Sequence, residues 1–468
     1  MFTLAEIIRA TGGSKIGAGE LHVAGVTTDS RTATADDLFI ALSGERFDGH
    51  DFVAKAAERG VCAFLLNKEW AARNSLPAGV VAVVVPDTLR ALGDLAAWHR
   101  QRFTLPVVGV TGSNGKTTVK EMLAAIMVLT GPGLKTSGNL NNLIGLPQML
   151  FKLTARDRWA VLEMGMSELG EIDRLAEMAA PRVGIITNAF PAHLESMGSV
   201  EAVARAKGEL FLRLPTGGCA VYNADDPLIA QCPAPHGVDR LSFGLRGAEV
   251  STESIRSHGR DGQSFVLRLP VADIPIRLRV CGRHNIYNAL AAAAAAHALG
   301  VEPDLIRAGL EGFTPYARRF SLEDVAGVVL IDDSYNANPA SMTAALTTLR
   351  DIREECRAIA VLGDMLELGS ISPEAHRELG LLAAACVDRL YLLGEMATIV
   401  ADGAVAGGLA PDRIFRAENH GEIIADLQSR LTKGDYLLVK GSRGMRMDVV
   451  AEAVRRGFAP AGMTEGVA

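Results

Sequence analysis

The sequence predicts an α/β protein built as three consecutive segments, and three observations carry that expectation. Its 468 residues amount to about three domains at roughly 150 residues each. Apolar, β-branched runs alternate with helix-periodic stretches along most of the chain, as buried parallel strands joined by helices do. The alternation restarts twice, at Pro106, which opens the strongest strand, and near Pro315. The expected boundaries are therefore 1–105, 106–314 and 315–468.

In the first segment strands are expected at 21–26, 38–42, 61–66 and 80–85, and helices at 51–59 and 88–102. The second opens with a strand at 107–111, a glycine-rich turn and an amphipathic helix to about residue 129, and continues with strands at 159–163, 183–187 and 217–222. Residues 241–280 read as strand-rich, because runs such as 265–269 and 276–280 lack helical periodicity. Helices return at 284–299 and 303–311. In the third segment strands at 328–331, 358–362, 389–393 and 436–439 are separated by helical patterns. No period of 20 to 50 residues repeats, which argues against a solenoid.

Composition narrows the function classes. With 49% hydrophobic and 22% charged residues the chain can bury a core and is not predominantly disordered. A formal charge of -7, from 47 basic and 54 acidic residues, argues against a nucleic-acid partner. Six cysteines (Cys62, Cys219, Cys232, Cys281, Cys356, Cys386) include no CxxC pair, so they read as small buried hydrophobes and not as a disulfide or zinc scaffold. The start, with Glu6 early and no basic region ahead of an apolar run, predicts no secretory signal. The alanine-rich stretch 286–301 contains Asn288 and His297 and is shorter than the ~20 apolar residues of a membrane span. A soluble cytoplasmic protein without membrane insertion is expected.

The most specific local signal is Thr111-Gly112-Ser113-Asn114-Gly115-Lys116-Thr117-Thr118, because it follows an expected strand and opens a helix. Its two glycines allow a tight turn with inward N–H groups, Lys116 offers charge to outer phosphates, and Thr117 can place a hydroxyl on Mg²⁺. Val110 stands where the strict phosphate-loop pattern has its first glycine. A ligand-free glycine-rich helix start would leave Lys-Thr-Thr without a reason. Glu163 ends the apolar run 159–162, at the sheet edge where ligands collect, and suits either Mg²⁺ or a helix cap or ion pair. His193 follows the strand at 183–188 by a few residues and could equally be an ordinary loop histidine. Lys207 lies in a helical pattern, 200–214, where a lysine is ordinarily a solvated face. The turn Gly282-Arg283-His284-Asn285-Ile286-Tyr287-Asn288 could cap its helix or meet a purine edge. In the last segment the stretch from Asp332 through Asp333, Asn336 and Asn338 to Pro339 follows a strand and precedes a helix. It suits a ribose, a polar substrate or a plain turn. Lys440-Gly441-Ser442-Arg443 is a further polar strand end with two cations.

Taken in order, these segments resemble the Mur ligase family, the ATP-dependent amide-bond-forming enzymes of peptidoglycan synthesis, over nearly the whole chain. The family's shortened phosphate loop accounts for Val110. Three stretches look like the branch that adds D-alanyl-D-alanine to UDP-N-acetylmuramoyl-tripeptide. They are the run from Thr136-Ser137-Gly138-Asn139 through Asn142 to Pro147, the run from Asp332 to Pro339, and Leu362-Gly363-Asp364-Met365-Leu366-Glu367-Leu368-Gly369. The Asp-Asn-Pro-Arg motif typical of the sister branch that adds the third residue does not occur in the sequence. Thr28-Asp29-Ser30-Arg31 and Phe47-Asp48-Gly49-His50 resemble the uridine-nucleotide-binding domain the two branches share.

The resemblance implies a small N-terminal α/β domain for the UDP substrate, a central phosphate-loop ATPase sheet, and a Rossmann-like C-terminal domain that binds the incoming amine and closes on ATP. It implies that Gly112, Ser113, Asn114, Gly115, Lys116, Thr117 and Thr118 bind ATP phosphates, and that Thr117 and Glu163 hold one Mg²⁺. His193 and Lys207, the latter as a lysine carbamylated by CO₂, would serve a second. Asn285 would face adenine, while Arg318 and Asp333 would reach the nucleotide's phosphates and ribose. Arg318 is taken over its neighbour Arg319, although Ala317 stands where a glycine commonly precedes the arginine. Ser30, Arg31, Asn139, Asn142, Asn336 and Asn338 would meet the UDP-N-acetylmuramoyl-tripeptide and D-alanyl-D-alanine substrates. Lys116, Lys207 and His193 would be the catalytic set of a monomeric enzyme. Asp448 replaces a usual glutamate. Rival readings are a relative with another amine, a folylpolyglutamate synthase-like enzyme, or a phosphate-loop switch that hydrolyses nucleotide without joining substrates.

Overall fold

The computed structural model describes residues 1–44, 47–192 and 194–457. Three larger sheets succeed one another along the chain. The first holds Ser14–Ile16, Val81–Val85, Ala63–Asn67, Asp37–Ile40 and Gly25–Thr27 in spatial order, parallel except at the Ser14–Ile16 edge. The second is fully parallel and runs Asp239–Phe243, Cys219–Asn223, Val183–Ile186, Val107–Thr111, Ala160–Glu163, Leu134–Lys135. The third runs Ser321–Val325, Val328–Asp333, Tyr436–Lys440, Ala358–Gly363, Arg389–Leu393, Ile414–Ala417, with only the first pair antiparallel. A smaller antiparallel sheet of Ser251–Ser257, Gln263–Leu269 and Ala272–Leu278 lies between the second and third in sequence.

The central sheet explains its own sequence. Val108 and Val110 face one layer, with the helices Lys116–Met127 and Arg283–Ala298, while Val107 faces the other, with Glu171–Ala179 and Val200–Leu212. Both faces are buried, which is why the strand Val-Val-Gly-Val-Thr shows no apolar/polar alternation. The alanine-rich run Ala289–Ala296, broken only by Leu290, is wholly buried against the phosphate-loop helix, and its small side chains let the helix seat closely there. Among the described residues no helix is long and apolar enough to cross a membrane. Start signals are local: Asp87 accepts from Leu89 and Arg90 N–H at 2.9 and 3.0 Å to open Thr88–Arg100, and Ser199 accepts from Ala202 N–H at 3.2 Å to open Val200–Leu212. Thr88–Arg100 carries Leu92 and Leu95 into a hydrophobic cluster shared with Leu162 and Leu210, so the first and central sheets rest on one continuous core.

Two expectations are corrected. The strand Ser321–Val325, absent from the sequence reading, pairs with Val328–Asp333 through a two-residue hairpin in which Ala326 and Gly327 both have positive φ, 53° and 90°. Cys62 and Cys356 are exposed, Cys219 is half-buried, and only Cys232, Cys281 and Cys386 are buried; all six are free thiols.

Candidate active site

The strand Val107–Thr111 occupies the middle of the central sheet, so its carboxyl end opens between the flanking strands Ala160–Glu163 and Val183–Ile186. The glycine-rich turn begins there. Gly112 has φ +146°, and a Cβ on it would sit 1.8 Å from Thr187 Oγ1; Gly115 has φ +84°, and a Cβ would sit 2.3 Å from Asn288 Oδ1. Only glycine fits either position, which explains the spacing. The loop is fastened to the end of the neighbouring strand. Ser113 N–H donates to Asn188 O at 3.0 Å, Asn114 N–H to Asn188 Oδ1 at 2.8 Å, and Thr187 Oγ1–H to Asn114 O at 2.6 Å.

One carboxylate, two lysines and two neutral polar side chains converge on the loop. Thr117 Oγ1–H donates to Glu163 Oε2 at 2.9 Å, and Asn141 Nδ2 donates to Glu163 Oε1 at 2.8 Å. Glu163 is buried, its own N–H held by Thr136 Oγ1 at 2.9 Å. Lys116 curls onto its own loop, Nζ donating to Gly112 O at 2.7 Å, a carbonyl that an incoming phosphate would replace. Loss of water lowers the Lys116 pKa, with Glu163 opposing the shift and Arg319 reinforcing it. Lys207 is buried, without a hydrogen-bond or ion-pair partner among the described residues, and its pKa falls well below the ordinary lysine value through desolvation and the nearby Lys116 charge. The solvated-face expectation for Lys207 is thereby excluded.

The last sheet contributes the opposite wall of a cavity of about 890 Å³. Asn338 and Asn114 exchange side-chain amides across it, at 2.8 and 3.1 Å, while Asn338 also caps the helix Pro339–Ile352. Asp333 accepts from Lys440 Nζ at 2.6 Å and from Phe320 N–H at 3.0 Å, so the Lys440 noted as a polar strand end serves to orient Asp333. Asn336 O accepts from the same Lys440 at 2.9 Å, and Asn336 Oδ1 from Arg443 N–H at 3.3 Å. Asn285 is buried at the cavity edge, bonded to Cys281 O and Asn288 Nδ2 at 2.8 and 3.1 Å. Its neighbour His284, which also lines the cavity, has its pKa pushed down to about 4 by desolvation, Asp333 opposing and Lys440 adding to the fall.

The arginine expectation is corrected by one residue. Arg318 turns away, pairing with Asp448 at 3.0 Å and Glu452 at 2.9 Å. Arg319 faces in, with Nη2 donating to Thr117 Oγ1 at 3.2 Å, its guanidinium 3.8 Å from the Tyr335 ring centroid, and its Nε buried without a partner among the described residues. Left-handed backbone at Arg318 and Phe320, φ 62° and 50°, swings alternate side chains to opposite sides.

The remaining expected residues are dispersed. Thr118 and Asn142 line the cavity, and Asn142 Oδ1 also accepts from Gly145 N–H at 2.8 Å to shape its turn. Asn139, Ser30 and Arg31 are not on its lining. Arg31 is bound to Asp29 at 2.8 Å, and Ser30 O accepts from Arg59 at 3.1 Å. Their turn approaches the central domain where Gln148 Nε2 donates to Thr28 Oγ1 at 3.3 Å. His193 lies outside the described residues. Sequence reading missed Asn141, Thr187 and Asn188; the Thr-Asn pair directly after a strand beside the loop was the available signal.

Comparison with known proteins agrees with this geometry along the chain. Residues 22–100 match the description "Mur ligase family, catalytic domain", residues 110–296 "Mur ligase middle domain", and residues 318–443 "Mur ligase, glutamate ligase domain". Similar relatives include the UDP-N-acetylmuramoyl-tripeptide--D-alanyl-D-alanine ligases of Escherichia coli and Bacillus subtilis. The first is 38% identical over 97% of this chain and 98% of its own, the second 35% identical over 92% of each. Among solved structures, MurF from Acinetobacter baumannii superposes with a TM-score of 0.89 at 33% identity, covering 97% of this chain and 99% of that one. MurF ligase from Thermotoga maritima in complex with ADP gives 0.82 at 28% identity, covering 92% and 97%. With all three segments matched and full-length relatives above 30% identity, the chain belongs to the Mur ligase family.

Proposed function

We propose that the chain is an ATP-dependent ligase that joins D-alanyl-D-alanine to UDP-N-acetylmuramoyl-tripeptide, giving the pentapeptide precursor of peptidoglycan with release of ADP and phosphate. The observation that carries the reading is the convergence on Thr117 Oγ1. The hydroxyl donates to Glu163 of the central sheet and receives a contact from Arg319 of the last segment, at the mouth of the phosphate loop. The relatives of that name, aligned over nearly the full length, supply the substrates. In the first step a carboxylate oxygen of the tripeptide bonds to the γ-phosphorus while the β,γ-bridging P–O bond breaks and ADP departs. In the second the amine nitrogen of D-alanyl-D-alanine bonds to the acyl carbon, the C–O bond to phosphate breaks, and the nitrogen loses a proton.

Anion attacks anion in the first step, so the site must neutralise charge. The loop amides and Lys116 are placed to bind the outer phosphates, and Lys116 is held half-buried, where its charge acts in a lowered dielectric. Arg319, backed by the Tyr335 ring, brings a second cation from the other wall. Thr117 and Glu163 are hard oxygen donors already 2.9 Å apart, and among the described residues no cluster of three His, Cys, Asp or Glu could hold a metal alone. That donor set fits Mg²⁺, which takes its other ligands from phosphates and water and supplies charge stabilisation when bound. Asn141 fixes the other Glu163 oxygen. Asp333, oriented by Lys440, would take the ribose, and Asn285 the adenine. Ser30, Arg31, Asn139, Asn142, Asn336 and Asn338 would meet the two substrates.

Lys207 would act as a carbamate. Its buried, neutral-favouring amine suits attack on CO₂, in which an N–C bond forms, one C–O π bond opens onto oxygen and the nitrogen loses a proton. The product is an anion that with His193 would hold a second Mg²⁺. Lys207→Ala should abolish turnover with partial rescue by short carboxylates; unchanged activity would remove the lysine from the mechanism. We read the enzyme as a cytoplasmic monomer. The deciding assay is ADP release with UDP-N-acetylmuramoyl-tripeptide. Release should depend on added D-alanyl-D-alanine, and release that ignores it would overturn the ligase reading.

A further inference from the structure

We propose that Lys120 is a positioning residue that ties the carboxylate of Glu163 to the linker carrying Arg319. Lys120 lies one helical turn beyond Lys116 and is wholly buried, 0% exposed. An ammonium withdrawn from water is strongly unfavourable unless its donors are met. Three groups meet them: Thr136 O at 2.8 Å, Glu121 Oε1 at 2.9 Å, and the face of Tyr316, whose ring centroid is 5.6 Å away. Glu121 is shared with Lys135.

Two of these contacts lead to the active site by different routes. Thr136, whose carbonyl Lys120 holds, uses its hydroxyl to accept the N–H of Glu163 at 2.9 Å. Tyr316 precedes Arg319 by three residues in the linker between the helix Pro303–Glu311 and the strand Ser321–Val325. Arg319 in turn touches Thr117 Oγ1, the hydroxyl that donates to Glu163. The path Lys120, Thr136, Glu163, Thr117, Arg319, Tyr316 and back to Lys120 is therefore a closed ring. It joins the phosphate-loop helix, the residue that follows the edge strand, the Glu163 carboxylate and the linker into the last sheet. Lys120 is its one member that contacts both Thr136, which holds Glu163, and the linker residue Tyr316. A lysine needed only to stabilise its helix would not require a buried site with partners from two other elements.

The experiment uses two variants of the full-length enzyme. Lys120→Met keeps length and loses charge. Calorimetric titration of the non-hydrolysable ATP analogue AMPPCP, with and without Mg²⁺, should show the Mg²⁺-dependent gain in affinity reduced about tenfold, and kcat should fall about thirtyfold with substrate KM values unchanged. A lowered melting temperature with an undiminished Mg²⁺ gain would mean a structural role only and overturn the proposal. Tyr316→Leu, at a half-exposed linker position, should lower kcat about fivefold, and this loss should vanish in an Arg319→Ala background, because the two act through one route. No loss, or a loss that persists in that background, overturns the linker connection; should Lys120→Met fail to fold, this cycle alone decides. The inference rests on the ligase reading only for its kinetic arm. Failure of that reading would appear as D-alanyl-D-alanine-independent ADP release by the unaltered enzyme, while the calorimetric arm still tests Lys120.

Discussion

The carboxyl edge of the central sheet and the 28–31 turn of the first segment are both assigned to anionic ligands, yet they are built in opposite ways. At the sheet edge Glu163, Thr117 and Lys207 are buried, and the first two are cross-linked to each other and to residues from other segments. In the turn Arg31 is 85% exposed at its side chain and, among the described residues, its guanidinium is bound only to Asp29, two residues away. The contrast separates two demands. Charge that develops in a transition state is best met by groups fixed before the reaction, because reorganisation would raise the barrier. Substrate that must be captured from water and released can be met by exposed groups that change partners, since their contribution is the same in ground and transition states. The first region should therefore govern kcat and the second KM.

Glu163→Gln is the largest test of that division. The change keeps shape and the Asn141 and Thr136 contacts in outline while removing the charge that suits Mg²⁺. We expect kcat to fall about a thousandfold, near 4 kcal/mol, with the KM for the UDP substrate unchanged within a factor of about three. A variant that loses KM instead would erase the distinction between the two regions.

A second test concerns pH, through His284. Its folded pKa is about 4 against an ordinary 6.5, because desolvation penalises the imidazolium more than Asp333 supports it. Between these values the unfolded chain binds the proton and the folded chain does not, so stability falls as pH drops from about 6.5 towards 4. Fully developed, the loss is about 3 kcal/mol. His284→Gln should be nearly level over that window in urea unfolding relative to the unaltered protein. Parallel curves for the two would sink this account.

The third test sets two adjacent residues against each other. Arg319→Ala removes a cation in contact with Thr117 and should lower kcat about a hundredfold, near 3 kcal/mol. Arg318→Ala removes a half-exposed pair with Asp448 and Glu452 and should leave kcat within a factor of about two, at a stability cost below about 1 kcal/mol. Equal effects would mean that the linker reverses its facing when substrates bind.

These residues also mark how far the sequence was legible. The phosphate loop was readable because its requirement is local: Gly112 and Gly115 each carry positive φ against a close neighbour, and Lys-Thr-Thr follows at the helix start. Glu163 was readable from its place at a strand end. Choosing between Arg318 and Arg319 needed the left-handed turns at Arg318 and Phe320, conformations that non-glycine residues seldom adopt and that no residue there announces. Lys207 was unreadable as anything but a helix surface, since its burial depends on packing with elements distant in sequence, and it entered only through family resemblance. The Ala326-Gly327 hairpin was missed because alanine is a poor marker of positive φ, although the flanking valines fit a strand pair.

The smallest expected effect belongs to the turn itself. Arg31 draws the Asp29 pKa down to about 2, chiefly through their side-chain hydrogen bond, so the guanidinium is engaged before any substrate arrives. To contact a phosphate or carboxylate of the UDP substrate it must trade that partner, and an exchange between two anions in water yields little net affinity. Arg31→Ala should therefore raise the KM for UDP-N-acetylmuramoyl-tripeptide only about two- to fivefold with kcat unchanged. The salt sensitivity of KM in the unaltered enzyme should shrink in the variant, because an exposed charge is screened over a Debye length of about 8 Å at physiological ionic strength. If kcat falls together with kcat/KM, Arg31 is part of the transition-state machinery, and the turn and the sheet edge act as one region.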